Sequence, residues 1–464
     1  MKTMTTPVPR KLLTIEIDRS GVGLARRLAP WSAALLALVV LAAGWFVWRA
    51  TFPMEIFYNE PWNAWLSDLA LRRDALYPPS DALTLNNYPP LSFVLLHFVA
   101  APRVFANALY AGRAVSFVST FVVAAAVYRI ARELGAGKAS AALGALSFVA
   151  LVLQFFDESV AACDQNMLGL AAMYWAFYMF LRSSSTSGVL ASFAAMAAAG
   201  LIKHHLAAAP LAAVVCLWFV RPRLALAAAL FGALVCAALT LVCWGVYGDN
   251  FFAQMLAPRQ ILLGKPIVGL VRLQWVAPLW PFWFYWLAVG ENARARRVTL
   301  VMTATSVAVW MVWRLGAGVS ANAELELIVA STIAFALTLE GLDHRRLRLG
   351  RFAASLSTLC ALAMVARAVA SGQDLNYLAW LDSGRRAAVS AAAETTAREI
   401  ARVAAIPGEV SCSVRTVCYL AGKAYVYDPY GVEQSLKTGR ATPAEIEAKA
   451  RAIRFAPVSA AARW

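Results

Sequence analysis

Charge is what this sequence has least of. Asp, Glu, Lys and Arg make up 15% of its 464 residues, while 61% are hydrophobic. Soluble domains carry about a quarter charged and about half apolar residues, so a soluble globular class is excluded. There is no internal repeat and no low-complexity tract beyond richness in Ala. A cleavable signal peptide is not expected either, because the polar start of about 29 residues is too long and leads into a full-length apolar run. The net charge of +16 would suit nucleic acid if it were gathered in one patch. Instead Lys and Arg fall in short segments between apolar runs: RKLL near the start, YRIARELGAGK at 128–138, RPR at 221–223, ARARR at 293–297 and HRRLRLGR at 344–351. That is the cytoplasmic-loop bias of membrane proteins, and no nucleic-acid partner is expected.

A span needs about 20 apolar residues. Such runs predict helices near 30–51, 110–131, 139–156, 165–182, 186–202, 206–220, 224–247, 270–289, 298–316, 326–342 and 352–371. With the basic tail 1–29 inside, every basic loop falls on the cytoplasmic side, and the C-terminus falls outside. The stretch 88–109 has an apolar core of about a dozen residues, short for a crossing, and reads as a helix along the outer surface. The expected architecture is an all-α polytopic membrane protein of about eleven transmembrane helices. Its membrane domain is 30–371, with a first outer loop at 52–109. A small extracytoplasmic α/β domain follows at 372–464, in which AAVSAAAETTAREIARVA reads as an amphipathic helix and TPAEIEAKARAI as a Thr-capped one. Five of the seven cysteines lie in or beside apolar runs and read as packing residues. Cys412 and Cys418, close together in SCSVRTVCYL, suit a short-loop disulfide if that region faces an oxidising compartment.

Acids beside a bilayer are costly and ask for a reason. Glu60 lies in FYNEPWNAW, at the start of an apolar spacing (Trp62, Trp65, Leu66, Leu69) that suits an amphipathic interfacial helix with Trp anchors. It is either a favourable helix-start charge or a base or metal ligand held above the membrane. Tyr88-Pro89-Pro90 fixes an extended approach to the next helix. Asp157, Glu158 and Asp164 in FFDESVAACDQNMLGLA have oxygens that suit a divalent cation, or they are solvated loop residues. In LIKHHL, Lys203 suits a phosphate as a point charge or is a boundary residue reaching for the headgroups. Adjacent His204 and His205 would point to different sides of a helix, against a two-His metal site. Arg259, Lys265, Asn322 and Glu324 are expected on the same outer face. Acids and bases converging there suit a reaction on a lipid-borne anionic substrate, with an acid activating the acceptor and bases holding a phosphate leaving group.

These stretches resemble the GT-C superfamily of membrane glycosyltransferases, which includes protein O-mannosyltransferases and aminoarabinose transferases. The resemblance is carried by YNEPWNAW, NNYPPLSFVLL, AGRAVSFVSTFVVAAAVYRIARELG, CDQNMLGLA, LIKHHLAAAPLA and, in the tail, PGEV…CYLAGKAYVYDPYG. It implies a polyprenyl-phosphate-linked sugar donor, an acceptor lipid, glycan or protein, a bacterial inner-membrane location and inversion at the anomeric carbon. Family members carry an Asp-Glu pair in the first outer loop. Here it reads Asn59-Glu60, which makes Glu60 the lead catalytic base and Glu55 the alternative. The family's second-loop acid maps onto Asp164, with Asp157 as the lesser choice; both are tentative ligands of a possible divalent metal. Substrate-binding candidates are Glu55, Tyr58, Asn59, Tyr88, Asp157, Lys203, His204, Arg259, Lys265, Asn322 and Glu324. The rival readings are a non-catalytic transporter or binding protein for lipid-linked sugars, kept open by Asn59, and an assembly subunit acting through its tail.

Overall fold

The computed structural model describes residues 13–17, 23–349, 352–369 and 376–459. The expected N-terminal tail therefore lies largely outside the described residues, as do the end of the last predicted span and of the C-terminal region. In chain order the elements are β1 (Leu13–Ile17), α1 (Leu24–Ala50), α2 (Glu60–Asp68), α3 (Arg73–Leu76), α4 (Leu91–Ala100), α5 (Ala108–Glu133), α6 (Lys138–Phe155), α7 (Asn166–Arg182), α8 (Thr186–Gly200) and α9 (Ala208–Trp218). Then come α10 (Pro222–Tyr247), α11 (Asp249–Met255), α12 (Lys265–Leu270), α13 (Trp280–Val289), α14 (Ala293–Arg314), α15 (Leu325–Gly341), β2 (Arg345–Leu349), β3 (Phe352–Ser355) and α16 (Leu356–Val369). The C-terminal region holds α17 (Ser383–Ala404), β4 (Val410–Cys412), α18 (Arg415–Leu420), α19 (Pro429–Lys437), α20 (Pro443–Ala450) and β5 (Arg454–Ala456).

A helix occupies each of the eleven predicted segments. Among the described residues, five are long and apolar enough to cross a membrane: Leu24–Ala50, Ala108–Glu133, Lys138–Phe155, Pro222–Tyr247 and Ala321–Gly341. A sixth counts if Lys265–Trp275 and Ala277–Val289, bent by 63°, form one broken span. α4 has ten residues, about 15 Å of helix, half the thickness of the hydrocarbon layer. α15 is apolar all round and buried from Leu325 to Leu339, as a central helix must be. It meets α6 closely at Gly144, where a Cβ would stand 2.9 Å from the Thr332 carbonyl oxygen. Glu326 on α15 accepts hydrogen bonds from the Ala208 and Ala209 amides, satisfying the free N–H groups that begin α9. α10 is the opposite case, apolar but largely exposed, and so lies on the periphery.

Two features depart from expectation. The basic loop HRRLRLGR contributes β2 to a three-stranded antiparallel sheet in the order β1-β2-β3. α2 does not lie on the surface, for Glu60 through Ser67 are all buried. The C-terminal region covers it: the Trp65 indole donates to the Lys423 carbonyl at 2.8 Å, its ring stacks on Tyr425, and the Tyr419 hydroxyl donates to Asp68 at 2.9 Å. The C-terminal region contains helices and a parallel β4-β5 pair. Its apolar residues share one core with α2, α4 and α5.

Candidate functional site

Two arginines from helix ends organise the loops around α2. Arg113 of α5 is buried among carbonyls and one carboxylate. Its guanidinium donates to Glu60 Oε1 at 2.8 Å and Oε2 at 2.9 Å, and to the Ala50, Phe52 and Met54 carbonyls. Arg49 at the end of α1 donates to the Asp157 and Val160 carbonyls and meets Asp157 Oδ2 at 3.5 Å. A buried guanidinium needs this many acceptors to offset its lost hydration.

Glu60 is therefore fully engaged. Beside Arg113, it accepts from the Ile56 amide at 2.8 Å and from the Cys163 amide at 2.9 Å, and none of its surface is exposed. The carboxylate ties the loop after α1 to the loop before α7. Ala161 in the latter has a left-handed φ of 51°, a strained conformation outside glycine that this anchoring sustains. Asn59, the other half of the pair, lines a cleft.

That cleft has a volume of about 40 Å³ and is lined by Tyr58, Asn59, Trp62, Asn87, Tyr88, Arg259, Arg415, Asp428 and Tyr430 among others. A second cleft of about 40 Å³ adjoins it through Tyr88, Arg259 and Gly318, and adds His204, His205, Trp313 and Asn322. Arg259, on the loop after α11, has no hydrogen bond or ion pair with a described residue. Burial pushes the phenols of Tyr58 and Tyr88 up, so both are neutral donors. Burial also raises the Asp428 carboxyl, with Arg415 at 3.5 Å opposing the rise. Asp428 begins α19, accepting from the Tyr430 amide.

Behind Tyr88 stands Lys203, fully buried, with Nζ 3.7 Å from the centre of the Tyr88 ring. Burial lowers its pKa and Asp164 raises it. Nζ also reaches Gln165 at 3.5 Å. Asp164 accepts from the Asn166 amide at 2.7 Å through Oδ1. Its Oδ2 accepts from no described residue, and the side chain lines a small chamber with Asn63, Ser67, Ser92 and Gln165. Of Glu60, Asp164 and Asp428, Glu60 has both oxygens bonded, Asp428 is paired with Arg415 through Oδ1, and Asp164 has no described cation within ion-pair distance.

The other expected residues are placed as follows. Glu55 is buried under the C-terminal region, accepting from the Thr416 amide at 3.1 Å. Asp157 is paired with Arg49 and 44% exposed. Lys265 donates to the Gly316 carbonyl at 2.9 Å, and Glu324 accepts from the Trp275 indole at 3.0 Å; neither lines the clefts. His204 and His205 lie in a turn between α8 and α9, not on a helix, and both rings abut Trp313. Burial, then Lys203 and Arg259, lowers the pKa of His204 to about 3. Among the described residues no three His, Cys, Asp or Glu side chains are grouped to hold a metal ion. Cys412 and Cys418 form a disulfide with Cα atoms 5.7 Å apart.

Sequence reasoning missed Arg113, Arg415, Asp428 and Tyr430. An arginine inside the apolar run AGRAVSF was the available signal, since such a charge needs a buried partner.

No protein-family model and no curated protein matches the chain. Solved structures do. ArnT from Cupriavidus metallidurans in the apo state superposes with a TM-score of 0.60 at 13% identity, covering 89% of this chain and 88% of that one. The same enzyme bound to undecaprenyl phosphate gives 0.58 at 13%, covering 92% and 90%. The Archaeoglobus fulgidus oligosaccharyltransferase in the apo form gives 0.50 at 11%, covering 90% and 68%. At these identities the likeness is one of fold alone.

Proposed function

We propose that the chain transfers a sugar from a polyprenyl-phosphate donor to a hydroxyl-bearing acceptor on the outer face of a bacterial inner membrane. The observation that carries this reading is Arg259, a cation paired with no described residue at the junction of two clefts, in a fold shared with a protein solved with undecaprenyl phosphate. Arg259 holds the donor phosphate, with Lys203 adding charge from behind Tyr88. The eleven helices traverse the membrane with the N-terminus inside, and the C-terminal region closes the clefts from outside with Arg415, Asp428 and Tyr430.

In this reading Asp164, not Glu60, is the general base. A base must reach the proton it removes; Asp164 has an oxygen without a described partner, and its charge acts on Tyr88, which lines both clefts. The acceptor oxygen attacks the anomeric carbon, its proton passes to Asp164, and the bond to the phosphate oxygen breaks with the charge received by Arg259. One displacement of this kind inverts the anomeric centre. Glu60 positions: it fixes the loop that carries Asp164.

A second reading, a binding protein or transporter for lipid-linked sugars, is favoured by Asn59, an amide where the family carries an acid. Mass spectrometry of lipid-linked sugars and envelope glycans separates the two. Cells carrying Asp164→Asn are compared with cells carrying the native protein and with cells lacking it. Accumulation of one polyprenyl-phospho-sugar with loss of one glycan mass, in both altered strains, is the expected result. Native glycan levels in Asp164→Asn would remove Asp164 as the base and favour the binding protein.

A further inference from the structure

A further cavity lies away from the clefts. α7 begins at Asn166, two residues after Asp164, and α8 ends at Gly200, four residues before His204 of the second cleft. Their other ends, at Arg182 and Thr186, border a cavity of about 390 Å³. The seventeen residues of α7 put about 25 Å between the two. Phe180, Leu181, Val189, Leu217 and Val298 make its walls apolar, and Arg221, Arg294 and Arg297 stand at its mouth.

Those arginines are weakly used. Arg297 has no hydrogen bond or ion pair with a described residue; its guanidinium lies 5.7 Å from the Phe219 ring centre. Arg221 reaches the Ser184 carbonyl at 3.4 Å. Arg294 donates to the Leu181 carbonyl but meets Glu133, its one acidic partner, at 3.4 Å in the open. Three cations thus face one loosely held acid. Apolar walls offer water too few partners to fill such a space, and a volume of this size suits one aliphatic chain. Beside the mouth, Trp218, Phe219 and Val220 are 55%, 63% and 64% exposed, an apolar and aromatic rim next to basic residues, as at a lipid interface.

We propose that this cavity binds one anionic phospholipid of the cytoplasmic leaflet, with an acyl chain between α7, α8, α9 and α14 and the phosphate among Arg221, Arg294 and Arg297. The basic loops assign this end to the cytoplasmic side, where anionic lipids are held by clustered Lys and Arg. The inference rests on the membrane-spanning reading and its orientation, not on sugar transfer. The lipid ties together the ends of α7, α8, α9 and α14.

The test uses the full-length protein in mild detergent. Native mass spectrometry and thermal melting are followed on adding phosphatidylglycerol, phosphatidylcholine of the same chains, or inorganic phosphate. One retained phosphatidylglycerol, a raised melting temperature, and at least tenfold weaker retention of phosphatidylcholine are expected. The double variant Arg221→Gln, Arg297→Gln, both outside the clefts, is expected to elute as the native protein does yet lose that adduct. Leu217→Trp, which fills the chamber, should lose it with the arginines intact. Equal retention of both lipids, an adduct that survives both variants, or stabilisation by inorganic phosphate alone would each overturn the proposal.

Discussion

Glu60 and Asp164 meet the same short loop and end in opposite states. The amide of Cys163 donates to Glu60, and the next residue in the chain is Asp164. Glu60 has every oxygen engaged by Arg113 and by backbone amides, whereas Asp164 spends one oxygen on the turn and leaves the other open. Burial does not separate them, since both are less than a tenth exposed. Partners do. A carboxylate with a complete set of donors holds structure, and one with an open oxygen is able to take a proton.

The widest gap between them is expected on folding. Glu60→Gln leaves the Arg113 charge buried without its counter-charge, and breaking a buried pair costs about 3–5 kcal/mol. Most of the folded protein should be lost, read as the monodisperse fraction in size-exclusion chromatography and as a lowered melting temperature. A well-folded Glu60→Gln would erase the distinction. Asp164→Asn should melt as the native protein does while transfer falls by about 10²–10⁴-fold, the usual worth of a general base. A single-turnover assay with the accumulated donor checks it. Arg259→Gln comes next. Losing one charge-assisted contact of about 1.5–3 kcal/mol should weaken donor binding by about 10–100-fold, with melting unchanged, since Arg259 has no described protein partner.

The contrast was half legible in the chain itself. Helix positions follow from apolar runs, and a helix stands at every predicted segment because an apolar run in that setting has no better way to satisfy its backbone. Asp164 was legible as an acid at a helix edge. The buried pairing of Glu60 was not legible, because its partner Arg113 lies 53 residues further on, inside a run that reads as uniformly apolar. The β1-β2-β3 sheet was hidden for the same reason. Glu16 and Arg346 pair across more than 300 residues, and a string of arginines gives no strand signal. Arg415, Asp428 and Tyr430 reach the cleft by tertiary contact alone.

Smaller effects test the cover over α2. Cys412 and Cys418 close a loop whose ends are six residues apart. By the chain-entropy account such a short closure contributes about 2 kcal/mol. Cys412→Ser should lower the melting temperature by that equivalent and raise protease sensitivity after Leu420, leaving Arg113 and Glu60 paired. Equal melting with and without the disulfide would mean that the shared core with α2, α4 and α5 alone holds the C-terminal region in place.

The smallest expected effect concerns pH. His204 is held neutral by burial and by the neighbouring Lys203 and Arg259, with its pKa lowered to about 3, against about 6.5 for a free imidazole. Below pH 6.5 the unfolded chain therefore takes up a proton that the folded chain refuses. Stability rises with pH wherever the unfolded state binds more protons, so this histidine's contribution is complete above about pH 7 and is lost as pH falls from 6.5 toward 3. Between pH 7.5 and 5.5 the loss should be about 1.4 kcal/mol. Melting curves of the native protein and of His204→Gln across that interval isolate it: the native curve should fall more steeply with acid than the variant's. Parallel curves would mean that His204 titrates normally, which would require the turn before α9 to open to water and bring Lys203 with it.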